Sequence, residues 1–552
     1  MTKMDPTDGS WGYPALPAWV KDFRPYQEDA IVDILEAYER GAKVVFLDAP
    51  TGSGKTLIAE ATRRKLATDA LYTCTTKTLQ DQFISDYDYA ALLKGRDNYP
   101  TMYAPFPDVT AGDCLGSDCD WCDDTFSCAY VQAKTIAQNN PLAVLNTAYA
   151  LTVWNYANSF KGRGLVILDE CDLLEQSLMG FVEVRLTKYR LDRYNLPLPA
   201  HNPRRRIDAD IEWVDSVAPT LRRFLARIPD DTRDVRQVRD RNWLSGMLQK
   251  LYVLRQGLVD SNDDDAAKWV YDNEQKKHVV FKPVEVSRFG DGYLWQHGQR
   301  FLLMSASIVS PREMAMSLGL DDGEWETVRV ESTFPPENRP IHILYSGRMT
   351  SKMYDESLPK LVDDVAMVLD NHPNERILVH TVSYKLANDI YNGLASMNGE
   401  HQSRLLIYQN SGQREEVLSQ MKETPGSVVL APSFDRGVDL PGDLCTVQII
   451  AKVPYPYLGD KQVSARLHMG EPGQLWFNAQ TARSLIQMTG RGVRHEEDTC
   501  TTYILDRQFH DFYRRNKRMF PEWWKEALDL SGRVRSRLNT SYNERWTEPT
   551  RS

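Results

Sequence analysis

Lys43-Val-Val-Phe-Leu-Asp48, followed at once by Ala49-Pro-Thr-Gly-Ser-Gly-Lys-Thr56, decides the fold. The first six residues read as a short apolar strand. A Gly-rich turn follows, and then a helix pattern from Leu57 to Leu66. The turn, Thr51, Gly52, Ser53 and Gly54, has the composition of a P-loop. Its glycines let backbone N–H groups turn inward around phosphate oxygens. Lys55 supplies a point charge for β- and γ-phosphates, and the Thr56 hydroxyl can ligate Mg²⁺. The next helix adds its positive N-terminal end. Only the first position departs from the usual pattern, with Ala49 in place of Gly.

Working outward, Gly164-Leu-Val-Ile-Leu-Asp169 is a second apolar strand, ending in Asp169-Glu170. An Asp there can hold Mg²⁺, and the adjacent Glu can orient and deprotonate an attacking water. Alone this would be a solvated acidic turn; the loop upstream gives it its meaning. Similar strands return at Arg376–His380, Gly426–Ala431 and Val447–Ile450. Strands alternating with helices predict an α/β chain with doubly wound parallel sheets. Two such domains are expected, divided near Glu337 to Ile341, where Pro335, Pro336 and Pro340 punctuate the chain. Far downstream, Gln487-Met-Thr-Gly-Arg-Gly-Val-Arg494 sets Arg491 and Arg494 three apart. They read either as a basic surface helix or as arginine fingers reaching across a cleft to the γ-phosphate.

The length of 552 residues allows roughly three to four domains. There is no signal peptide and no run of about 18 apolar residues, so the expected setting is the cytoplasm without a membrane. The net charge of −10 argues against a duplex-coating protein but permits a narrow basic channel. Eight cysteines without a secretory signal do not form a disulfide scaffold. Four of them, Cys114, Cys119, Cys122 and Cys128, follow C-x(4)-C-x(2)-C-x(5)-C. Tetrahedral zinc would suit four thiolates, but its sites commonly use two separated pairs. The contiguous, irregular spacing favours an iron–sulfur cubane. Cys74, Cys171, Cys445 and Cys500 lie in or beside apolar strands and read as small core residues.

Residues 177–290 break the α/β rhythm. Val217, Leu221, Phe224, Leu225 and Ile228 fall at helical spacing, as do Trp243, Met247, Leu248 and Leu251, with Pro229-Asp-Asp231 between them. A mostly helical insertion is expected. Arg204-Arg-Arg206, Arg222-Arg223 and Arg227 either line a strand path or solvate its outer face. Trp476 and Tyr384 could stack bases or pack in a core.

The order of segments resembles a superfamily 2 helicase from Phe23 to Phe509. Phe23-Arg24-Pro-Tyr-Gln27 resembles the element that reads adenine through Arg24 and Gln27. Met304-Ser-Ala-Ser307 resembles the motif coupling the ATP and DNA sites. Ser433-Phe-Asp-Arg-Gly-Val-Asp439, with Gly437 and Asp439, resembles motif V. More narrowly, Thr75-Thr-Lys-Thr-Leu-Gln-Asp-Gln82, Leu145-Asn-Thr-Ala-Tyr149 and His380-Thr-Val-Ser-Tyr384 resemble the XPD/DinG branch. That resemblance implies nucleic-acid contacts at Thr76, Lys77, Asn146, Thr381 and Tyr384. It also implies a 4Fe–4S cluster on the four cysteines, an arch formed by the second insertion, and 5′ to 3′ travel. One position departs: the branch usually reads Asp-Glu-Ala-His, whereas this chain has Asp169-Glu-Cys-Asp172. Asp172 can accept a hydrogen bond across the cleft but cannot donate as His would.

The resulting expectation is a monomeric ATP-dependent DNA helicase using Mg-ATP on single-stranded DNA and duplex junctions. Lys55, Asp169, Glu170, Gln487, Arg491 and Arg494 are its catalytic set. Motor domain 1 is assigned to residues 1–85, 141–176 and 291–336, interrupted by the cluster insertion (86–140) and the arch (177–290). Motor domain 2 is assigned to 337–552. Because the motor signature starts so early, no nuclease domain is expected ahead of it. The alternatives are a translocase without strand separation, an RNA-remodelling ATPase, or a recruitment module that has lost turnover.

Overall fold

The computed structural model describes residues 16–101, 109–114, 128–200, 206–230, 232, 234–263, 269–273, 278–397, 401–432, 440, 442–490, 492–493 and 497–538. In chain order its first strands are β1 (Val44–Asp48), β2 (Ala70–Cys74), β3 (Ala91–Leu93), β4 (Leu142–Asn146) and β5 (Arg163–Asp169). Next come β6 (Val184–Thr187), β7 (Trp269–Asp272) and β8 (His278–Pro283), and then β9 (Gly298–Ser305) and β10 (Trp325–Arg329). Seven of these form one parallel sheet in the order β10-β1-β9-β5-β2-β4-β3.

Every residue of β1 is buried. Val44 and Phe46 enter the apolar core on one face, while Val45 and Leu47 enter the core on the other. That two-sided burial explains the unbroken apolar run: a parallel sheet covered by helices on both faces has no solvent side to mark with polar residues.

A second parallel sheet follows, built from β11 (Ile341–Gly347), β12 (Ile377–His380), β13 (Leu405–Ile407), β14 (Val428–Ala431), β15 (Val447–Ile450), β16 (Thr501–Asp506) and β17 (Leu528–Asp529). Its order is β13-β14-β12-β15-β16-β11-β17. The chain is thus α/β, with two RecA-like domains. It passes from the first sheet to the second between β10 and β11, through the Pro336–Asn338 turn.

The 177–290 segment is less purely helical than its periodicity suggests. Two long helices, Arg206–Leu225 and Val235–Asp263, pack against each other as expected. Beside them lies a three-stranded antiparallel sheet, β6-β8-β7. These strands are four to six residues long. Val184 pairs with Phe281 from far along the chain, so neither length nor local period announces them. Tyr194 stacks on Trp243 at 5.4 Å, and the insertion shares one continuous apolar core with motor domain 1.

Candidate active site at the interdomain cleft

The phosphate loop leaves β1 at Asp48 and is tied to the neighbouring strand by the Ala49 N–H, which donates to the Ser305 carbonyl at 3.1 Å. Gly52 and Gly54 take φ of +78° and +79°, the left-handed region that costs a side chain most. Gly54 also admits Gln27: a Cβ there would stand 2.5 Å from Gln27 Nε2. The Gln27 amide donates to the Ser53 carbonyl at 2.9 Å and accepts from the Arg24 N–H at 3.0 Å. The Arg24 guanidinium donates to the Gly52 carbonyl at 3.4 Å. Both expected adenine-reading residues therefore sit against the loop. Lys55 Nζ donates to the Ala49 and Pro50 carbonyls at 3.1 and 3.2 Å, which holds the ammonium in the mouth of the loop. Thr56 opens the helix Lys55–Lys65, whose N-terminus points its free N–H groups at the same space.

Asp169 ends β5, between β2 and β9. It accepts from the Tyr72 hydroxyl at 2.7 Å, and that hydroxyl also lies beside Thr56. Burial pushes the Asp169 carboxyl above its ordinary range, partly offset by the nearby Lys55 ammonium. Glu170 adopts φ +51°, a conformation rare for a side-chain-bearing residue and common at functional sites. Its carboxylate accepts from Thr75 Oγ1. A hydroxyl and a carboxylate brought together by one phenol form an all-oxygen donor set that suits Mg²⁺.

The facing wall comes from the helix Glu471–Thr489. Gln487 Nε2 donates to Asp172 Oδ2 at 2.7 Å and to Ser307 Oγ at 3.0 Å. Ser305 Oγ donates to the other Asp172 oxygen at 2.7 Å. The departure at Asp172 is therefore matched by donors: an acceptor stands where the branch has His, and a carboxamide faces it. The cleft holds about 970 Å³ and is lined by Lys55, Glu170, Asp172 and Ser307 on one side and by Arg339, Lys422, Gln487 and Trp523 on the other. Arg491, Arg494, Gly437 and Asp439 lie outside the described residues.

Two domain families match the chain: a type III restriction enzyme res subunit family over residues 21–112, and a helicase C-terminal domain family over residues 365–527. The Bacillus subtilis protein named 3'-5' exonuclease DinG is 26% identical over 278 residues, covering 47% of this chain and 30% of that protein. The ATP-dependent DNA helicase DinG of Photobacterium profundum is 23% identical over 280 residues, covering 47% and 40%. The Haemophilus influenzae ATP-dependent DNA helicase YoaA is 22% identical over 476 residues, covering 77% and 72%. Among solved structures, an XPD helicase superposes with a TM-score of 0.59 at 15% identity, covering 90% of this chain and 98% of the other. S. tokodaii Xpd4 gives 0.57 at 14%, covering 92% and 99%. In sequence the chain is thus similar to DinG and YoaA proteins, and in fold to XPD. It spans about a third of the length of the two DinG relatives.

Several residues expected to meet nucleic acid in a DinG/XPD-like helicase share the carboxyl edge of the first sheet. Cys74 pairs with Asn146 in adjacent strands, so Thr76 and Lys77 emerge beside Asn146. Thr76 and Lys77 are exposed. Asn146 donates to the Thr75 carbonyl at 2.8 Å. Just past β12 of the second sheet, Tyr384 is 37% exposed at the start of the helix Tyr384–Ser396, whereas Thr381 is fully buried and donates its hydroxyl to the Ser383 carbonyl. Trp476 is buried too, donating to Glu175 at 3.1 Å across the domain boundary. Arg222, Arg223 and Arg227 are exposed; the guanidinium of Arg227 lies over the Phe224 ring.

Of the four clustered cysteines, Cys114 and Cys128 are buried and unbridged, while Cys119 and Cys122 lie outside the described residues. Among the described residues no group of three or more His, Cys, Asp or Glu is placed to hold a metal ion, and only two of the four thiols fall within them. Arg239 of the arch forms a bidentate pair with Asp113 beside Cys114, at 2.5 and 3.0 Å. The segments 86–140 and 177–290 thus touch. Among the described residues, no helix is long and apolar enough to cross a membrane.

Residues missed by sequence reading include Tyr72 and Thr75, whose hydroxyls donate to the carboxylates of Asp169 and Glu170. Arg483 was missed as well, although a charged residue on a helix face shared with Ala479, Ala482 and Ile486 was a signal.

Proposed function

We propose that the chain is an ATP-driven motor that hydrolyses Mg-ATP between its two RecA-like domains, moves 5′ to 3′ on single-stranded DNA and unwinds duplex at junctions. The observation that carries this reading is the cleft itself. Lys55, Asp169 and Glu170 stand on one wall, and Gln487 reaches Asp172 from the other.

In this reading Arg24 and Gln27 recognise the base. Thr51, Gly52, Ser53 and Gly54 wrap the phosphates, and Lys55 neutralises them. Thr56 and Asp169 hold Mg²⁺, which when bound screens the phosphate charge. Glu170 orients and deprotonates water. Arg491 and Arg494 act as fingers, with Gly437 and Asp439 in support, so hydrolysis requires closure. Thr76, Lys77, Asn146, Thr381 and Tyr384 belong to the strand path, Thr381 through its loop rather than its buried side chain.

Cys114, Cys119, Cys122 and Cys128 hold a 4Fe–4S cluster that cross-links the insertion of residues 86–140. The arch of 177–290 closes over it, supported by the Arg239–Asp113 pair. Residues 1–85, 141–176 and 291–336 serve as motor domain 1, and 337–552 as motor domain 2. The working form is a cytoplasmic monomer.

The test is ATP turnover measured in parallel with single-stranded DNA, with RNA and with no polymer. DNA stimulation lost in Lys55→Ala supports the reading; turnover equal in all three, or unaffected by Lys55→Ala, refutes it. Polarity is read from two partial duplexes with a 5′ or a 3′ single-stranded tail. Preferential unwinding of the 3′-tailed substrate overturns the direction.

A further inference from the structure

Arg483 lies one helical turn before Gln487, so both project from one face of the helix Glu471–Thr489. Its side chain is 2% exposed. Arg483 Nε donates to the Ser307 carbonyl at 3.4 Å, and Nη2 donates to Glu313 at 3.4 Å. Glu313 is 3% exposed and lies in the first turn of the helix Pro311–Ser317 of motor domain 1. Its other oxygen accepts from Ser317 Oγ at 2.9 Å, and that hydroxyl accepts from Arg466 Nη2 at 2.7 Å. Ser307 is thus held at both ends: Arg483 takes its carbonyl and Gln487 its hydroxyl.

We propose that Arg483 is a positioning residue for ATP hydrolysis, bridging Ser307 and Glu313 across the domain boundary so that Gln487 stays in register with Asp172. This rests on the ATPase reading above. The physical reason is the cost of an unpaired buried charge. A buried ion pair adds little net stability against an apolar substitute, but breaking it is expensive. A slide or rotation of the helix that carried Gln487 away from Asp172 would strip Arg483 from Glu313. The pair therefore sets register, the best-attested use of such groups. Among the described residues, the hydrogen bonds of Arg483 go to Ser307 and Glu313 and to none of those assigned to the nucleotide; it acts through Ser307 and Gln487.

The test uses the full chain with Arg483→Gln, Arg483→Lys, Gln487→Ala and the double variant Arg483→Gln/Gln487→Ala. Arg483→Gln should lower kcat at least about 10-fold while KM for ATP stays within about 3-fold, because the lost interaction serves the transition state. Arg483→Lys should recover part of that loss, since an ammonium can still pair with Glu313. The double variant should be no worse than Gln487→Ala by more than about 2-fold, because residues acting through one contact are not additive. A second readout needs no turnover. Amide exchange at Leu485–Gly490 should quicken at least about 10-fold in Arg483→Gln, while Val428–Ala431 in β14 keeps its protection. Unchanged kcat, losses that multiply in the double variant, or unchanged exchange at Leu485–Gly490 would overturn the proposal. A parental chain without ATP turnover would refute the ATPase reading instead, and the exchange comparison would then decide the register role.

Discussion

Replacing Asp172 tests how the two motor domains communicate. Its side chain accepts two hydrogen bonds of 2.7 Å, from Ser305 Oγ within its own domain and from Gln487 Nε2 across the cleft. Asp172→Ala removes both, but the losses differ. Ser305 Oγ still has Ser307 Oγ at 3.2 Å, so the local hydroxyl can be re-satisfied. Gln487 keeps its bond to Ser307 yet loses its charged acceptor across the boundary. One hydrogen bond to a buried charged acceptor contributes about 1.5–3 kcal/mol. If it is made fully only when the cleft is closed, its loss lowers kcat about 10- to 150-fold. Asp172→Asn keeps an oxygen for Ser305 and sets an amide against Gln487. Gln487 Oε1 is buried and has no hydrogen-bond partner among the described residues, so a flip of that amide would face it to the new donor. Asp172→Asn should therefore lose less than about 10-fold, since a neutral bond replaces a charge-assisted one. Asp172→His restores the branch's usual residue and relies on the same flip; it should fall between the other two. The assay is steady-state ATP turnover at saturating single-stranded DNA, with nucleotide affinity and melting temperature measured alongside. Turnover within about 2-fold of parental for Asp172→Ala, with melting unchanged, would refute the coupling role.

Glu170→Gln should bind ATP with near-parental affinity yet hydrolyse it at least about 100-fold more slowly; single-turnover measurements with a fluorescent nucleotide separate the two. Cys128→Ser should abolish iron and acid-labile sulfide in anaerobically purified protein while much DNA-independent ATPase survives; zinc at one equivalent without sulfide in the parental chain would reverse the cluster assignment. Glu60→Ala should cost about 3–5 kcal/mol in urea unfolding, because Glu60 is 2% exposed and accepts from Arg63, Arg64 and the Tyr89 hydroxyl. His297 is fully buried against Trp154, and burial, with Lys161 adding, pulls its pKa to about 4 from an ordinary 6.5. Its neutral form is thus the folded one: its contribution is present above pH 6.5 and lost as pH falls toward 4, at a slope up to about 1.4 kcal/mol per pH unit. His297→Gln should flatten that limb of the stability profile, and an unchanged limb would show that other groups govern it.

What the sequence disclosed depended on how local the physics was. The phosphate loop was legible because Gly52 and Gly54 must take positive φ and Lys55-Thr56 must follow directly. Those constraints act within a few residues. Asp169-Glu170 was legible only in company, because the phosphate loop upstream gives a strand that ends in acid its meaning. Tyr72 was not: it sits inside an apolar strand, and its partner Asp169 meets it only because β2 and β5 are neighbours. The β6-β8-β7 sheet was hidden for a similar reason, since its strands are too short to show a period and β6 meets β8 only across about a hundred residues. Asp172 marks the boundary between these cases. Its departure from the branch pattern was visible, and so was the loss of a donor. Its consequence was not, because that depends on which end of the Gln487 amide faces it. A carboxylate facing the Nε2 of Gln487 does the work of an imidazole facing the oxygen. The identity at position 172 and the orientation at 487 are then one choice made twice, and substituting either residue alone asks the other to turn.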